Sequence, residues 1–262
     1  MFAAGTKTIV AMAHLPPLPG APGYDADGGM QKLIDWAAAD VAALQSGGVD
    51  AILFGNEADR PYVLRAPPEG LAAMAAVVTA VKPSLSVPFG VDYLWDPVAT
   101  VALAAATGAA FAREIFIGVY ASDMGLWQPD AAAALRLRAN LGRQDLKLLF
   151  NINAEFATPL DTRPVAERAT SAVFSSTADV LCVSGPMTGM AVDRGALAAV
   201  KRAVGPTPVL ANTGVTVDSV ADILSLADGA IVGTHFKRDG DTWNPVDGDR
   251  VRRFMDRVES LR

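Results

Sequence analysis

Short apolar runs alternate along the whole chain with longer segments in which apolar residues recur at helical spacing. The runs have the length and the β-branched and aromatic content of buried strands. They predict strands at Thr8–His14, Ala51–Asn56, Phe89–Tyr93, Phe111–Ile117, Lys147–Asn153, Val180–Ser184, Pro208–Thr213 and Gly229–Thr234. The segments between them predict helices at Gln31–Gln45, Glu69–Val81, Pro97–Ala106, Asp130–Leu141, Pro164–Ser176, Asp193–Val204, Val217–Leu226 and Asp249–Leu261. Asp130 and Asp193 are placed to act as N-caps of two of these helices.

The predicted strands are apolar on both faces, which is typical of a parallel sheet covered by helices. Eight β/α units in about 250 residues indicate an α/β fold, a (β/α)8 TIM barrel, with residues 1–262 as a single domain. A doubly wound open sheet is the alternative, but it would carry a glycine-rich phosphate loop after its first strand. That strand is instead followed by HLPPLPG, His14–Gly20. Because proline fixes φ, we expect a stiff loop that holds His14 in place.

Composition narrows the class of protein further. The chain has 262 residues, 51% of them hydrophobic, so it can bury a large core. Its net charge of −6 is scattered along the chain, which disfavours binding to nucleic acid or to an anionic membrane. A lone cysteine, Cys182, allows neither an intramolecular disulfide nor a thiolate zinc site. We find no signal peptide and no membrane-spanning run, and we expect a cytoplasmic protein.

Barrels of this kind carry their chemistry where strands end and the following loops begin. The polar residues at those positions are His14, Asn56, Glu57, Asp59, Asp92, Arg113, Glu114, Asn151, Asn153, Glu155, Ser184, Thr188, Asn212, Thr213, Thr234, His235 and Lys237. Asn151, Asn153 and Glu155 are two residues apart and should share the inward face of their strand. Buried polar groups are unfavourable unless they are hydrogen-bonded, so this face indicates a ligand site, with an internally satisfied polar network as the alternative.

These residues suggest acid–base chemistry at the mouth. The candidates for proton transfer are Glu155, Asp92, His14 and Glu114, and the candidates for substrate binding are Asn56, Arg113, Asn151, Asn153, Asn212 and Lys237. Closure of the barrel would bring His235, on the last unit, near His14, whose imidazole titrates near neutral pH. No strand interior carries a lysine, which disfavours a Schiff-base aldolase.

Glycines follow the last two predicted strands, at the two loops where phosphate-binding barrels hold their anion. Backbone N–H groups in these loops can converge on a phosphate, although glycine at a strand end is also ordinary turn chemistry. The predicted phosphate site comprises Thr213, Gly214, Val215, Gly233 and Thr234, with Lys237 just beyond it. We predict no cofactor. His14, His235 and Asp92 together could bind a divalent ion, but no metal-binding spacing motif supports this.

Several motifs together resemble the BtpA/SgcQ family. They are HLPPLPG, NEADRPY, VDYLWDP, AREIFIGVYASDMG, VSGPMTG, ANTGV, and DGAIVGTHFKRDG followed by NPVDGDRVRRF. The resemblance covers nearly the whole chain and implies a TIM barrel of the ribulose-phosphate-binding type. It implies much less about activity, because the family's namesake is linked to photosystem I accumulation in cyanobacteria and SgcQ-like members to sugar-utilisation clusters.

Two functions from different classes remain open. The first is an enzyme that uses carboxylate and histidine groups on a phosphorylated sugar or nucleoside-like small molecule, as an isomerase, epimerase, lyase or glycosidic-bond enzyme. The second is a non-catalytic binding or assembly factor, as in photosystem I biogenesis. The many ionisable groups at the mouth favour the enzyme. The sequence determines neither the substrate nor the oligomeric state, and a homo-oligomer stays open.

Overall fold

The computed structural model describes residues 1–262, and its central feature is a closed barrel of eight parallel strands. In chain order the elements are β1 (Thr8–His14), α1 (Gly29–Ser46), β2 (Ala51–Gly55), α2 (Pro68–Val81), β3 (Phe89–Asp92), α3 (Pro97–Thr107), β4 (Phe111–Glu114), β5 (Tyr120–Ser122), β6 (Gly125–Trp127), α4 (Ala131–Asn140), β7 (Lys147–Asn151), β8 (Ala157–Pro159), α5 (Val165–Ser176), β9 (Val180–Val183), α6 (Arg194–Ala203), β10 (Val209–Ala211), α7 (Val220–Leu226), β11 (Gly229–Val232) and α8 (Gly248–Glu259). The strand order around the barrel is β1-β11-β10-β9-β7-β4-β3-β2. The predicted TIM barrel is confirmed.

Alternating side chains on each strand fill two separate apolar layers. On β1, Val10 and Met12 belong to the cluster inside the barrel, whereas Ile9, Ala11 and Ala13 pack under the surrounding helices. The inner cluster also contains the lone cysteine, Cys182. Because both faces of every strand are covered, the strands carry the continuous apolar runs from which the sequence predicted them.

Aspartates begin several of the surrounding helices. Asp130 accepts a hydrogen bond from the Ala133 N–H, and Asp193 accepts one from the Ala196 N–H, as predicted for N-caps. One helix starts later than predicted. Helix α7 begins at Val220, because residues 216–219 form a turn in which Thr216 and Ser219 hydrogen-bond to each other. None of the helices combines the length and the apolar character needed to cross a membrane.

The sequence did not predict a second, three-stranded antiparallel sheet, which β5, β6 and β8 form in the order β6-β5-β8. Its strands come from the loops that follow β4 and β7, and each is three residues long. Tyr120 and Trp127 from this sheet pack with Trp95 in a small apolar cluster. The predicted strand Phe111–Ile117 runs into the loop that leads to this sheet, since β4 ends at Glu114 and β5 begins at Tyr120.

Candidate functional site

Two adjoining spaces open where the barrel strands end. We call the first the inner cavity; it is lined by Met12, His14, Glu57, Arg113, Glu155, Thr188, Gly189, Asn212, Thr213, Gly214, Gly233 and Thr234. We call the second the outer cleft; it has a volume of about 280 Å³ and is lined by Gly189, Gly214, Val215, Thr216, Gly233, Thr234, His235, Gly240 and Arg250. Four residues belong to both linings, so the two spaces lie next to each other.

Arg113, on β4, is the central cation of the inner cavity. Its Nη1 donates to Asp92 at 2.6 Å, its Nη2 to Glu155 at 3.0 Å and its Nε to Asn151 at 3.1 Å. Burial alone would lower the pKa of Arg113, but the two carboxylates outweigh burial and raise it. The guanidinium is therefore a fixed positive charge held by three side chains.

Asp92 and Glu114, both predicted to transfer protons to a ligand, do not line the inner cavity. Each is fully or almost fully buried, and burial raises the pKa of both carboxyls, that of Glu114 well above its ordinary value. Asp92 Oδ1 has no hydrogen-bond partner, and Glu114 Oε2 accepts from the Ile115 N–H. Because Asp92 pairs with Arg113 and Glu114 bonds to the adjoining backbone, the structure places neither of these predicted proton-transfer residues at the inner cavity.

Glu155 lies in the inner cavity as predicted. Its Oε1 accepts hydrogen bonds from Arg113 Nη2 and from Asn212 Nδ2 at 3.2 Å, and its Oε2 lies 3.2 Å from Thr188 Oγ1. Glu155 does not belong to strand β7, which ends at Asn151; it lies in a turn after the strand, next to Phe156, whose φ is +55°. The inward placement is right, although the strand alternation from which it was predicted has ended by this point.

Glu57 was among the polar residues at the strand ends, but sequence reasoning gave it no role. It lines the inner cavity, where its Oε1 lies 2.6 Å from Thr188 Oγ1 and 3.3 Å from the Tyr62 hydroxyl. Burial, reinforced by the negative charge of Glu155, raises the pKa of Glu57 to about 7. Unlike Glu155, Glu57 forms no ion pair, so its carboxyl can hold a proton near neutral pH.

The asparagines on and after β7 do not line the inner cavity. Asn151 is buried between Arg113 and the Ser184 hydroxyl, which accepts from Asn151 Nδ2 at 2.9 Å. Asn153 is turned away, because its strand ends two residues earlier; its amide donates to the Ser184 carbonyl and accepts from the Ser184 N–H. Asn153 lines a separate cleft beside Asp193. The shared face predicted for Asn151, Asn153 and Glu155 is therefore absent.

Asn56 also holds backbone rather than lining the inner cavity. Its Oδ1 accepts from the Leu94 N–H at 2.8 Å, and its Nδ2 donates to Asp59 at 3.0 Å. Asp59 in turn accepts from the Leu18 N–H in the proline-rich loop at 2.7 Å. Asn56 thereby ties together the loops after β1, β2 and β3. Of the predicted amides, Asn212 alone lines the inner cavity, and it donates to Glu155.

The two histidines lie in different spaces. His14 lines the inner cavity, where burial and the positive charges of Lys237 and Arg113 lower its pKa well below the ordinary value, so the imidazole is neutral. Its Nδ1 is buried without a hydrogen-bond partner. His235 lies in the outer cleft, where its Nε2 accepts from the Val217 N–H at 3.3 Å. His14, His235 and Asp92, considered from the sequence for a divalent ion, therefore do not lie together, and no cluster of three metal-ligating side chains is present.

The outer cleft is rich in hydrogen-bond donors that the protein leaves unused. The backbone N–H groups of Gly214, Val215, Gly233 and Thr234 in its lining donate to no protein acceptor, and neither does that of Thr213 in the adjoining inner cavity. Arg250, at the start of α8, was missed by sequence reasoning; its Nε donates to the His235 carbonyl at 2.7 Å, and no carboxylate pairs with its guanidinium. The cleft therefore presents a cation and free amides without a compensating anion.

Lys237, predicted to bind substrate, lines neither space. Its Nζ is fully buried and donates to Asp40 of α1 at 2.7 Å. Asp40 also accepts from the Val246 N–H at 2.8 Å, so this pair fastens the chain before α8 to α1. Burial lowers the pKa of Lys237, while Asp40 acts in the opposite direction. The prediction is wrong because the partner of this lysine is a distant carboxylate rather than a ligand.

Gly214 is constrained by both conformation and space. Its φ is +64°, and a β-carbon there would lie 2.4 Å from backbone atoms of Met190 and Ala191. Only glycine fits such a position without displacing the neighbouring chain. The loop after β9 can consequently lie directly against the loop after β10, and it brings Thr188 and Gly189 into the walls of the two spaces.

A closed parallel barrel with ionisable groups at its strand ends and a donor-rich cleft beside them defines the class of protein: a TIM barrel with a candidate site in two adjoining spaces. The chain belongs to the BtpA family, whose profile matches residues 5–260. It is 46% identical to the sgc region protein SgcQ of Escherichia coli over 98% of this chain and 96% of that protein. It is 30% identical to the photosystem I biogenesis protein BtpA of Synechocystis over 95% of this chain and 86% of that protein.

Solved structures support the same fold. Phosphoribosyl anthranilate isomerase from Thermus thermophilus aligns with a TM-score of 0.59 at 14% identity, over 97% of this chain and all of that one. Orotidine 5'-monophosphate decarboxylase from Methanocaldococcus jannaschii aligns with a TM-score of 0.55 at 15% identity, over 97% and 98% of the two chains. At these identities the likeness establishes the barrel fold and nothing finer.

Proposed function

We propose that the protein is an enzyme that carries out acid–base chemistry on a phosphorylated small molecule. Its phosphate would bind in the outer cleft and its reacting atoms would enter the inner cavity. The observation that carries this proposal is that the two spaces lie side by side. Their linings have four residues in common: Gly189, Gly214, Gly233 and Thr234. A phosphate bound in the outer cleft would therefore lie close to the reacting groups of the inner cavity.

The outer cleft has the chemistry of an anion site. Free backbone amides and an unpaired guanidinium are the groups that bind phosphate in proteins. Arg250 supplies the cation, and the loops at Gly214 and Gly233 supply the amides. His235 adds a further donor: because its Nε2 accepts from Val217, a neutral ring carries its proton on Nδ1.

The inner cavity has the chemistry of proton transfer. Glu57, with its pKa near 7, can release or take up a proton at physiological pH, where general acid–base catalysis is most efficient. Glu155, beside Arg113 and Asn212, is the complementary carboxylate. The neutral His14 imidazole completes the set of groups that face the space.

The polar lining of the inner cavity favours a sugar-like ligand, of which only the reacting atoms would enter this space. About 40 Å³ is open, which is room for about three water-sized groups. Among the twelve lining residues only Met12 is hydrophobic, and His14 supplies the one aromatic ring. Hydroxyl groups can hydrogen-bond to such a wall, whereas a nucleobase would find a single imidazole and no larger ring on which to stack. We therefore favour isomerisation or epimerisation of a sugar phosphate over chemistry on a nucleotide.

The alternative, a binding or assembly factor without catalysis, is suggested by the name of the Synechocystis relative. It offers no reason for an unpaired guanidinium and two carboxylates around adjoining open spaces. We favour the enzyme because a purely structural barrel would be more stable without buried charges.

Titration calorimetry can test the phosphate site. Inorganic phosphate and ribose 5-phosphate should bind, and ribose alone should bind far more weakly. Arg250→Met should weaken both phosphate ligands by roughly 10- to 100-fold, the effect of one charged hydrogen bond. Arg257→Met is the matched control, because Arg257 is exposed on the same helix and lines neither space. Equal affinities for the two variants would contradict the proposed site.

Catalysis needs a separate readout. Sugar phosphates incubated with the protein in D2O should gain deuterium at carbon or convert to an isomer, as followed by proton NMR. Glu155→Gln should reduce this rate by about 10²- to 10⁴-fold while the protein stays folded. Phosphate binding without any exchange or conversion across a panel of sugar phosphates would favour the binding-factor alternative.

A further inference from the structure

The Thr188 hydroxyl stands between the two carboxyls of the inner cavity. Its Oγ1 lies 2.6 Å from Glu57 Oε1 and 3.2 Å from Glu155 Oε2. Thr188 comes from the loop after β9, whereas Glu57 follows β2 and Glu155 follows β7. Three separate loops thus converge on one oxygen atom.

The number of available protons limits how these three groups can hydrogen-bond to one another. The hydroxyl has one proton and can donate to only one carboxyl. If it donates to Glu57, then Glu155 Oε2 faces a lone pair of Thr188 at 3.2 Å and gains nothing. If Glu57 is protonated, it donates to Thr188, and Thr188 donates to Glu155, so every oxygen in the row is satisfied.

The surrounding charges favour the second arrangement. Glu155 forms an ion pair with Arg113 and accepts from Asn212 through its other oxygen. Glu57 forms no ion pair, and its remaining hydrogen-bonding neighbour is the Tyr62 hydroxyl. The charged groups that act on Glu57 are Glu155, Arg113 and Asp92. The row therefore begins at a carboxylic acid and ends at a carboxylate.

We propose that Thr188 is a relay residue: its hydroxyl passes a proton between Glu57 and Glu155 and makes the two carboxyls one acid–base unit. This inference rests on the proposed function for its catalytic meaning. Thr188 is a positioning residue here, since it acts through the two carboxyls rather than on the substrate.

The relay would reset the site after each turnover. Glu155 takes a proton from one substrate atom, and Glu57 gives its proton to another. The proton on Glu155 Oε2 then passes to Thr188 Oγ1 while the Thr188 hydroxyl proton passes to Glu57 Oε1, which restores the starting state without a proton from solvent. Such a cycle fits isomerisation or epimerisation, in which one proton leaves and one returns.

Carbon-13 NMR of protein labelled at the glutamate carboxyl carbons can test the relay without any ligand. Wild type, Thr188→Val and Thr188→Ser are titrated with acid and base. In the relay, Thr188 accepts from protonated Glu57, so Thr188→Val removes a bond to the acid form. The titration midpoint of Glu57 should fall by about 0.5 to 1 pH unit, the value of one ordinary hydrogen bond. The Glu155 resonance should change too, because it loses a donor, and serine should restore both.

The opposite sign would overturn the relay. If Thr188 only donates to the Glu57 carboxylate, Thr188→Val raises the Glu57 midpoint and leaves the Glu155 resonance unchanged. An unchanged titration of both carboxyls would also overturn it. Thr188→Ala is a second variant if valine does not fold. Because the titration uses free protein, failure of the proposed function would show instead in the phosphate and exchange experiments.

Discussion

The His14 imidazole packs directly on Gly233: a β-carbon built on Gly233 would lie 2.8 Å from His14 Cε1 and 3.3 Å from His14 Nε2. From the sequence we predicted this glycine as part of the phosphate site. The contact gives it a second role, because any other residue would displace the histidine that faces the inner cavity.

Gly233→Ala should therefore move the His14 ring even when no ligand is present. The β-carbon is closer than side-chain contacts tolerate, so either the imidazole or the β11 end must shift. Nitrogen-15 NMR of the imidazole should show changed His14 signals. Gly248→Ala is the control, since its β-carbon would meet nothing nearer than 3.6 Å. Unchanged His14 signals in Gly233→Ala would show that the strand end accommodates the methyl group.

Glu57 should make stability fall as pH rises. Its pKa is raised to about 7 in the folded protein, so the folded state binds the proton more tightly than the unfolded chain does. The resulting stability is present at low pH and is lost as pH rises through the folded pKa. Glu57→Gln removes this dependence, so it should gain up to about 3 kcal/mol relative to wild type between pH 5 and pH 8.5.

Urea unfolding of wild type and Glu57→Gln at the two pH values measures this difference. Glu69→Gln serves as the control, because Glu69 is exposed and no partner holds its carboxylate. A constant difference between Glu57→Gln and wild type at both pH values would show that Glu57 is not the group that titrates.

The barrel could be predicted because buried parallel strands are apolar on both faces. This pattern is local in the sequence and can be read without knowing which strands pair. The errors are systematic: every predicted strand after the first runs past the observed end, as at Asn153 against Asn151 and Ile117 against Glu114. Polar residues at the mouth continue the sequence pattern of the strand, but the chain has already turned and the alternation no longer gives their direction.

The roles of the site residues depend on contacts that no local pattern encodes. Lys237 and its partner Asp40 are 197 residues apart, and Thr188 meets Glu57 across 131 residues. Nothing in the loop sequences distinguishes Glu57 from Asp59, which supports the proline-rich loop instead. Arg250 belongs to a helix whose other arginines are mostly exposed, so its place in the outer cleft required the structure.

Arg113 should be the residue whose loss destabilises the mouth most. Arg113→Met leaves Asp92 and Glu155 buried without their cation, which typically costs about 3–5 kcal/mol. The loss should be largest at neutral pH and smaller at acidic pH, because burial raises the pKa of Asp92 and its protonation removes part of the uncompensated charge. Arg252→Met, which breaks an exposed pair with Asp249, should cost about 1 kcal/mol or less in the same urea unfolding experiment. Similar losses for the two variants would contradict a central role for Arg113.

Variants of the buried pair of Lys237 and Asp40 can distinguish a structural role of the lysine from the ligand-binding role that the sequence suggested. Lys237→Met should cost about 3–5 kcal/mol of folding stability, since it strands the Asp40 carboxylate in the interior. Adding Asp40→Asn should recover much of this loss, because the amide oxygen can still accept from the Val246 N–H.

Phosphate affinity should be unchanged in the double variant Asp40→Asn/Lys237→Met, because the lysine lines neither the inner cavity nor the outer cleft. Thermal unfolding and phosphate titration of the same preparations measure both quantities. If Lys237→Met weakens phosphate as strongly as Arg250→Met and leaves stability intact, then the lysine reaches the anion and its pairing with Asp40 does not hold in solution. Loss of stability with retained phosphate affinity, by contrast, assigns the lysine to the attachment between α1 and the chain before α8.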